Sequence, residues 1–483
     1  MKNKATENKC WVVCNDCKGE GKRKRRIRKK VRLNYKKQLA AALKGEAPTP
    51  IPPKAHKHLC ATCKGSGLIK APNFPQPDSI NFPHIAIIGG GIGGVALAVA
   101  CLHRGIPFTL YERDSSFNAR SQGYALTLQQ ASSAIKGLGL NDLKEGVIST
   151  RHVVHTTDGE IIGEWGMRKW LESQSAPFSK RTNIHIARQS LRQELLDQLL
   201  RSDSVKWDHQ LLSYSETESI NLNFIHDNEL VSAKADVLVG ADGIFSTVRN
   251  LLLKENNKPL RYLDCIVILG ICPLSKLKDI ENPLLDSATV FQTANGNERI
   301  YMMPYDKDHI MWQLSFPLPE NEAKSLSALG SDALKKEACR RTQWHSPIPE
   351  ILAATSSDLI SGYPVYDREI LETKDFVHAS KTTLIGDAAH PMSPFKGQGA
   401  NQALLDALAL AREIYKGCGP NSGWREEGVR KRILLNFESE MLKRSAKKVE
   451  DSAEAAVFLH TDEVLYKANQ PRGRHLKTDK NSN

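Results

Sequence analysis

The chain has 483 residues, 40% of them hydrophobic and 25% charged. That length carries two or three cores and the composition is that of a globular protein, which excludes a collagen-like or wholly disordered chain. Residues 1–75 hold 20 Lys or Arg against 4 Asp or Glu, whereas the remainder holds 47 against 50, so the net charge of +13 belongs entirely to the first segment. The start is polar and basic, without the apolar core of a secretory signal, and no uninterrupted apolar stretch would span a bilayer. A cytoplasmic protein is expected.

The first element in chain order is a repeat. CNDCKGEG (14–21) returns as CATCKGSG (60–67). A C-x-x-C pair aims two thiolates at one point, and two pairs make a four-sulfur site suited to zinc. The glycines after each pair permit positive φ and let backbone N–H groups reach the sulfurs. Cys14, Cys17, Cys60 and Cys63 are therefore the expected zinc ligands, with Cys10 a spare. Four thiolates leave no open position, so the metal is structural. A redox dithiol is the rival reading, but it calls for a helix start in a βαβ unit. The two motifs, and nothing else in this segment, resemble the C-x-x-C-x-G-x-G zinc modules of Hsp40-type chaperones.

Between the pairs lies KRKRRIRKK (22–30). It reads either as a solvated basic face or as a surface for an anionic partner such as nucleic acid or acidic protein. The Pro-rich stretches 47–54 and 71–77 read as an internal loop and an interdomain linker. The other cysteines (Cys101, Cys265, Cys272, Cys339 and Cys418) are scattered singly, as small core residues of a reducing compartment are.

Next comes IAIIGG (85–90), a buried parallel strand by its unbroken apolar run. Gly89-x-Gly91-x-x-Gly94 then opens a helix. The first glycine makes the turn, the second admits a pyrophosphate and the third lets helix pack on strand. FTLYER (108–113) is the following strand. Glu112, 21 residues after Gly91, can accept ribose hydroxyls, with Arg113 beside it. Strand, glycine turn, helix and acid together specify a dinucleotide site, with NAD or FAD left open.

Two further strand-to-turn stations follow. ADVLVGADGIFSTVR (235–249) ends its strand at Asp242-Gly243. TTLIGDAAHPMSPFKGQGAN (382–401) contains Gly386-Asp387, then Pro394, Gly397, Gly399 and Asn401 before another helix. Each aspartate could equally be a helix cap, and His390 reads as a turn residue.

The three stations, in this order, resemble the class A flavoprotein monooxygenases, the family of para-hydroxybenzoate and salicylate hydroxylases that includes tetracycline-inactivating members. The likeness runs from about residue 83 to about residue 440. It implies an α/β fold: a Rossmann-like FAD-binding domain with an inserted, mostly antiparallel β-sheet substrate domain, a C-terminal helix and the small N-terminal zinc module. It assigns Gly89, Gly91, Gly94 and Glu112 to the ADP half of FAD, Asp242 and Gly243 to FAD and nicotinamide nucleotide, and Gly386 and Asp387 to the ribityl chain. Pro394, Gly397, Gly399 and Asn401 would surround the isoalloxazine ring. Arg188, in ARQSLRQELL, and Arg120 would also touch FAD.

Only one glycine fingerprint is present, as in the single-component hydroxylases of that family, and the resemblance implies that NAD(P)H docks transiently. Reduced FAD would then react with O2 to a hydroperoxide that hydroxylates an aromatic or enolic small molecule, with no catalytic side chain assigned. A flavin epoxidase or oxidoreductase is the alternative enzyme, and a nucleic-acid- or protein-binding protein with a secondary flavin unit the alternative of another class. The expected divisions are a zinc module (1–75), the FAD domain in three parts (83–150, 184–255, 371–422), the substrate domain in two (151–183, 256–370), C-terminal helices (423–466) and a disordered tail (467–483). Met303, Tyr305, Gln313 and Phe316, in strand-like alternation, are candidate pocket residues.

Overall fold

The structure, a computed structural model, describes residues 10–53, 55–119, 123–129, 131–168, 183–200 and 203–472. Arg120 lies outside them.

A five-stranded parallel sheet organises the nucleotide side. Its order is Val205–Lys206, Phe108–Tyr111, Ile85–Ile88, Val237–Gly240 and Thr382–Leu384. The three inner strands are nearly all apolar and buried, as strands covered on both faces must be. Helices Ile92–Leu102 and Gly399–Gly417 pack together over it. Because the glycine-acid turns all follow carboxyl ends of strands in this one sheet, parallel pairing brings residues 89, 242 and 387 to one rim. Ligands bind at this rim in open α/β sheets.

A seven-stranded sheet faces that rim. Its order is Ile161–Trp165, Arg151–His155, Thr289–Ala294, Arg299–Pro304, His309–Pro317, Leu260–Pro273 and Ile360–Arg368. Only the Arg151–His155 and Thr289–Ala294 pair is parallel. Side chains alternate across it. Ile300, Met302, Trp312, Leu314 and Phe316 form a core with the helices Ser331–Arg341 and Ile348–Ala354. Arg299, Tyr301, Met303, Met311 and Gln313 face the nucleotide side and line a cavity.

The C-terminal helix Leu435–Phe458 braces both halves. Arg444 bonds Gln402 and Asp406, Ser393 Oγ donates to the Ser452 carbonyl at 2.6 Å, and His460 Nε2 lies 2.9 Å from Ser315 Oγ. The tail expected to be disordered from 467 is instead packed as far as Arg472. That guanidinium donates to carbonyls of Ile162, Val464, Tyr466, Ala468 and Gln470, which a polar composition alone does not reveal.

In the N-terminal segment, Cys10–Val13 pairs with Leu68–Ala71, and Lys22–Lys24 with Lys57–Leu59. The helix Lys29–Leu43 between them buries no residue. The cysteine end of the module sits on the large domain. A Cβ on Gly139 would come within 2.6 Å of the Trp11 ring, Phe74 stacks on His103 with ring centroids 5.9 Å apart, and Arg412 Nε donates to the Gly19 carbonyl at 2.9 Å. No helix of the described residues is long and apolar enough to cross a membrane.

Candidate functional site

The first turn is built on space. Gly89 has φ +105°, and a Cβ there would meet Ala241 backbone at 2.6 Å. A Cβ on Gly94 would stand 1.9 Å from the Gly89 carbonyl oxygen, so the helix approaches its strand only because Gly94 has no side chain, while the bare Gly89 lets its turn approach Ala241. Gly91 instead faces the cavity, with the Arg188 guanidinium 3.9 Å from where its Cβ would be. Glu112 holds the turn: Gly90 N–H donates to its Oε2 at 2.6 Å and Asp114 N–H to its Oε1 at 3.0 Å. Arg113 is exposed beside it at the cavity mouth.

At the second turn Asp242 and Gly243 line the cavity. Asp242 also supports the start of the helix Thr247–Leu253, accepting from its N-cap Ser246 Oγ at 2.5 Å and from Val248 N–H at 3.1 Å. Burial raises its pKa.

At the third turn Asp387 differs. Its side chain is exposed in the cavity wall and has no hydrogen-bond partner among the described residues. Burial raises its pKa, offset by His390 and Arg188. Gly386 (φ +59°) and Gly397 (φ +58°) need the left-handed region. Pro394, Gly397 and Gly399 line the same cavity, where the helix Gly399–Gly417 begins and its first amides lack intrahelical acceptors. Asn401 sits behind this loop. Its oxygen accepts from Gln129 and Ala131 N–H, and its nitrogen donates to the Thr127 and Gly397 carbonyls. It lies outside the cavity lining and clasps the loop.

The cavity holds about 1490 Å³, beyond the roughly 300–1,000 Å³ of an ordinary ligand pocket. It has room for a dinucleotide and a second molecule. The unpartnered Asp387 carboxylate, the side-chain-free Gly91 and the helix start at Gly399 fit the ribityl, pyrophosphate and ring portions of FAD.

Of the four candidate pocket residues, Met303 and Gln313 line the cavity. Phe316 does not: three positions from Gln313 on one strand, it points to the opposite face, buried under Arg341 at 3.8 Å. Tyr305 lies past the end of its strand and outside the lining. Sequence reading missed Arg192, whose Nε donates to the Gly90 carbonyl at 2.6 Å; its i,i+4 spacing from Arg188 put both on one helix face. It also missed Arg299, a buried guanidinium in the cavity wall that donates to Gln292 Oε1 at 2.9 and 2.7 Å. No carboxylate pairs with Arg299 among the described residues. Tyr466 and Arg472 reach the cavity from the C-terminal segment.

Away from the cavity, the Cys14, Cys17, Cys60 and Cys63 sulfurs all lie within 4.8 Å of one another. Cys14 and Cys60 Sγ are 3.9 Å apart, Cys17 and Cys63 Sγ 3.6 Å. Tetrahedral zinc with bonds of about 2.3 Å needs edges of about 3.8 Å. The two halves are built alike: Gly21 N–H donates to Cys17 Sγ and Gly67 N–H to Cys63 Sγ, both at 3.2 Å. A Cβ on Gly21 would meet the Gly65 carbonyl at 2.2 Å, and one on Gly67 the Gly19 carbonyl at 2.3 Å. The donor set and its spacing fit a structural zinc.

The rim of the parallel sheet, its glycine turns and the facing sheet define a dinucleotide-binding enzyme fold. The chain belongs to the FAD binding domain family, which matches residues 83–427. It is 28% identical over 331 residues to the aurachin C monooxygenase/isomerase of Stigmatella aurantiaca, covering 68% of this chain and 79% of that one. It is also 28% identical over 341 residues to a 3-amino-4-hydroxybenzoate 2-monooxygenase of Streptomyces platensis, covering 69% and 80%. HpxO of Klebsiella pneumoniae, solved with FAD and uric acid, shares the fold with a TM-score of 0.63 at 21% identity over 78% of this chain and 88% of that one.

Proposed function

We propose that this protein is an FAD-dependent monooxygenase that takes two electrons from NAD(P)H, places one atom of O2 on an aromatic or enolic small molecule and releases the other as water. The observation that carries this is the cavity: an unpartnered Asp387, a bare glycine turn and a helix start share one void with the wall of a second sheet. Relatives with monooxygenase names support the reaction class.

Bound FAD supplies the electron exchange and the activation of O2. The chain's own residues bind and enclose. The Gly91 turn and its helix dipole would take the pyrophosphate, Glu112 the adenosine ribose, and Asp387 the ribityl hydroxyls. Arg188, Asp242 and Gly243 would flank them. The helix start at Gly399 would favour negative charge on the ring edge beside it. Tyr301, Met303, Met311 and Gln313 would exclude water from the substrate, and Arg299 would meet electron-rich oxygen on it. No side-chain base is assigned. Oxygen-dependent NAD(P)H oxidation across a panel of phenols and enols, with mass analysis for one added oxygen atom, tests the proposal. Oxidation that never yields an oxygenated product would refute it.

The cysteine cluster would hold one structural zinc in a reducing, cytoplasmic setting, since only reduced thiols can ligate it. The exposed basic helix Lys29–Leu43 suits an anionic partner, nucleic acid or acidic protein.

A further inference from the structure

The module meets the large domain at two arginines that have no carboxylate in ion-pair contact among the described residues; the groups favouring the charge of Arg104 are Cys101, Tyr415 and the module's own Glu20. Arg104, just after the helix Ile92–Leu102, is 3% exposed. Its Nη1 donates to the Ala100 carbonyl at 2.9 Å, but Nε and Nη2 are buried without a partner. Those two nitrogens lie 3.9 and 3.6 Å from where a Cβ on Gly19 would stand, two residues after Cys17. Arg412 reaches the same glycine, donating to its carbonyl. The negative groups acting on Arg412 are Glu20 and the Cys17 and Cys63 sulfurs. Neither guanidinium has a carboxylate within ion-pair distance among the described residues.

Arg104 is buried and Arg412 half-buried, and two neighbouring cations withdrawn from water with no carboxylate in ion-pair contact are unfavourable. Four thiolates around a divalent ion carry two net negative charges, equal in number and opposite in sign to the two guanidiniums. We infer that Arg104 and Arg412 are the counter-charges of the metal-loaded tetrathiolate, so that zinc binding and docking of the module on the flavin domain are one coupled equilibrium. This rests on the zinc reading above. Stripping the metal releases the four sulfurs from a common centre, and the turn at Gly19 that both arginines meet loses its anchor. Neither arginine lines the cavity, so the coupling acts on the back of the domain, at the far end of the helix that begins at Gly399.

The test uses full-length protein loaded with one zinc. Release to a chromogenic chelator should be about 10-fold or more faster in the R104Q/R412Q double variant than in wild type, as loss of outer-sphere partners does elsewhere. Arg412→Lys, which keeps the charge, should recover most of the difference. Hydrogen exchange at residues 137–140 and 412–418 should rise on metal removal in wild type, and be raised in the double variant with zinc still bound. FAD content should be unchanged in all, which shows that the variants fold. Zinc release within twofold of wild type would overturn the inference. So would a metal-free wild type that keeps its protection, or a Glu20→Gln variant that alone abolishes docking. A wild type that binds no zinc at all would instead refute the zinc reading beneath it.

Discussion

Arg444 of the C-terminal helix donates to Asp406 Oδ1 at 2.6 Å, and the other oxygen of that carboxylate accepts from Gly386 N–H at 2.9 Å and His390 Nε2 at 2.7 Å. Asp406 is fully buried, so one residue ties the brace to the turn that presents Asp387. Replacing Arg444 with Met leaves the carboxylate under-compensated. Because Arg444 is 28% exposed, solvent softens the loss to about 2 kcal/mol. The urea midpoint of the FAD-bound protein should fall accordingly.

The same pair predicts acid behaviour. Burial pushes the Asp406 carboxyl up, but His390 and Arg444 together hold it below its usual value. A lowered folded pKa gives stability that is complete above the unfolded value near 4 and is lost as pH falls through the folded one. The R444M variant raises the folded value. Flavin fluorescence on acidification should therefore appear at a higher pH in R444M than in wild type; coincident curves would contradict the assignment.

Gly94→Ala sets a Cβ against a backbone oxygen that has nowhere to go. Helix and strand must part, at about 1–3 kcal/mol, and FAD content should drop with thermal stability. Gly243→Ala, where nothing lies within 4 Å of the Cβ site, should cost only the strain of its positive φ, about 1 kcal/mol.

Strand parity separates specificity from stability. Gln313→Leu should change KM and the ranking of substrates while the unfolding midpoint moves little. Phe316→Ala should do the reverse, losing about 3–5 kcal/mol with substrate ranking preserved. Steady-state kinetics beside denaturant titration reads both.

Much of the nucleotide side is readable in the chain because its determinants are local. Gly89, Gly91 and Gly94 are dictated by one turn, and Asp387 follows its own strand. The paired cysteines carry their spacing and their glycines with them. What escaped is set by convergence. Asn401 looks like a ring contact in a loop motif, yet Thr127, Gln129 and Ala131 come close enough to take three of its four hydrogen bonds. Phe316 shares the alternating strand with Gln313, but the odd spacing of three turns it to the opposite face. Arg299, Tyr466 and Arg472 reach the same cavity from distant segments, and nothing near Arg104 or Arg412 announces that each faces the cysteine module.

The central claim is that three glycine-acid turns share one FAD. Titrating the flavin-free full-length protein with FAD tests it most directly, in wild type and in Asp387→Ala. The account predicts one FAD per wild-type chain with a resolved protein-bound flavin spectrum, and binding weakened at least 10-fold in the variant. A wild type that stays colourless and leaves added FAD free in solution would contradict it.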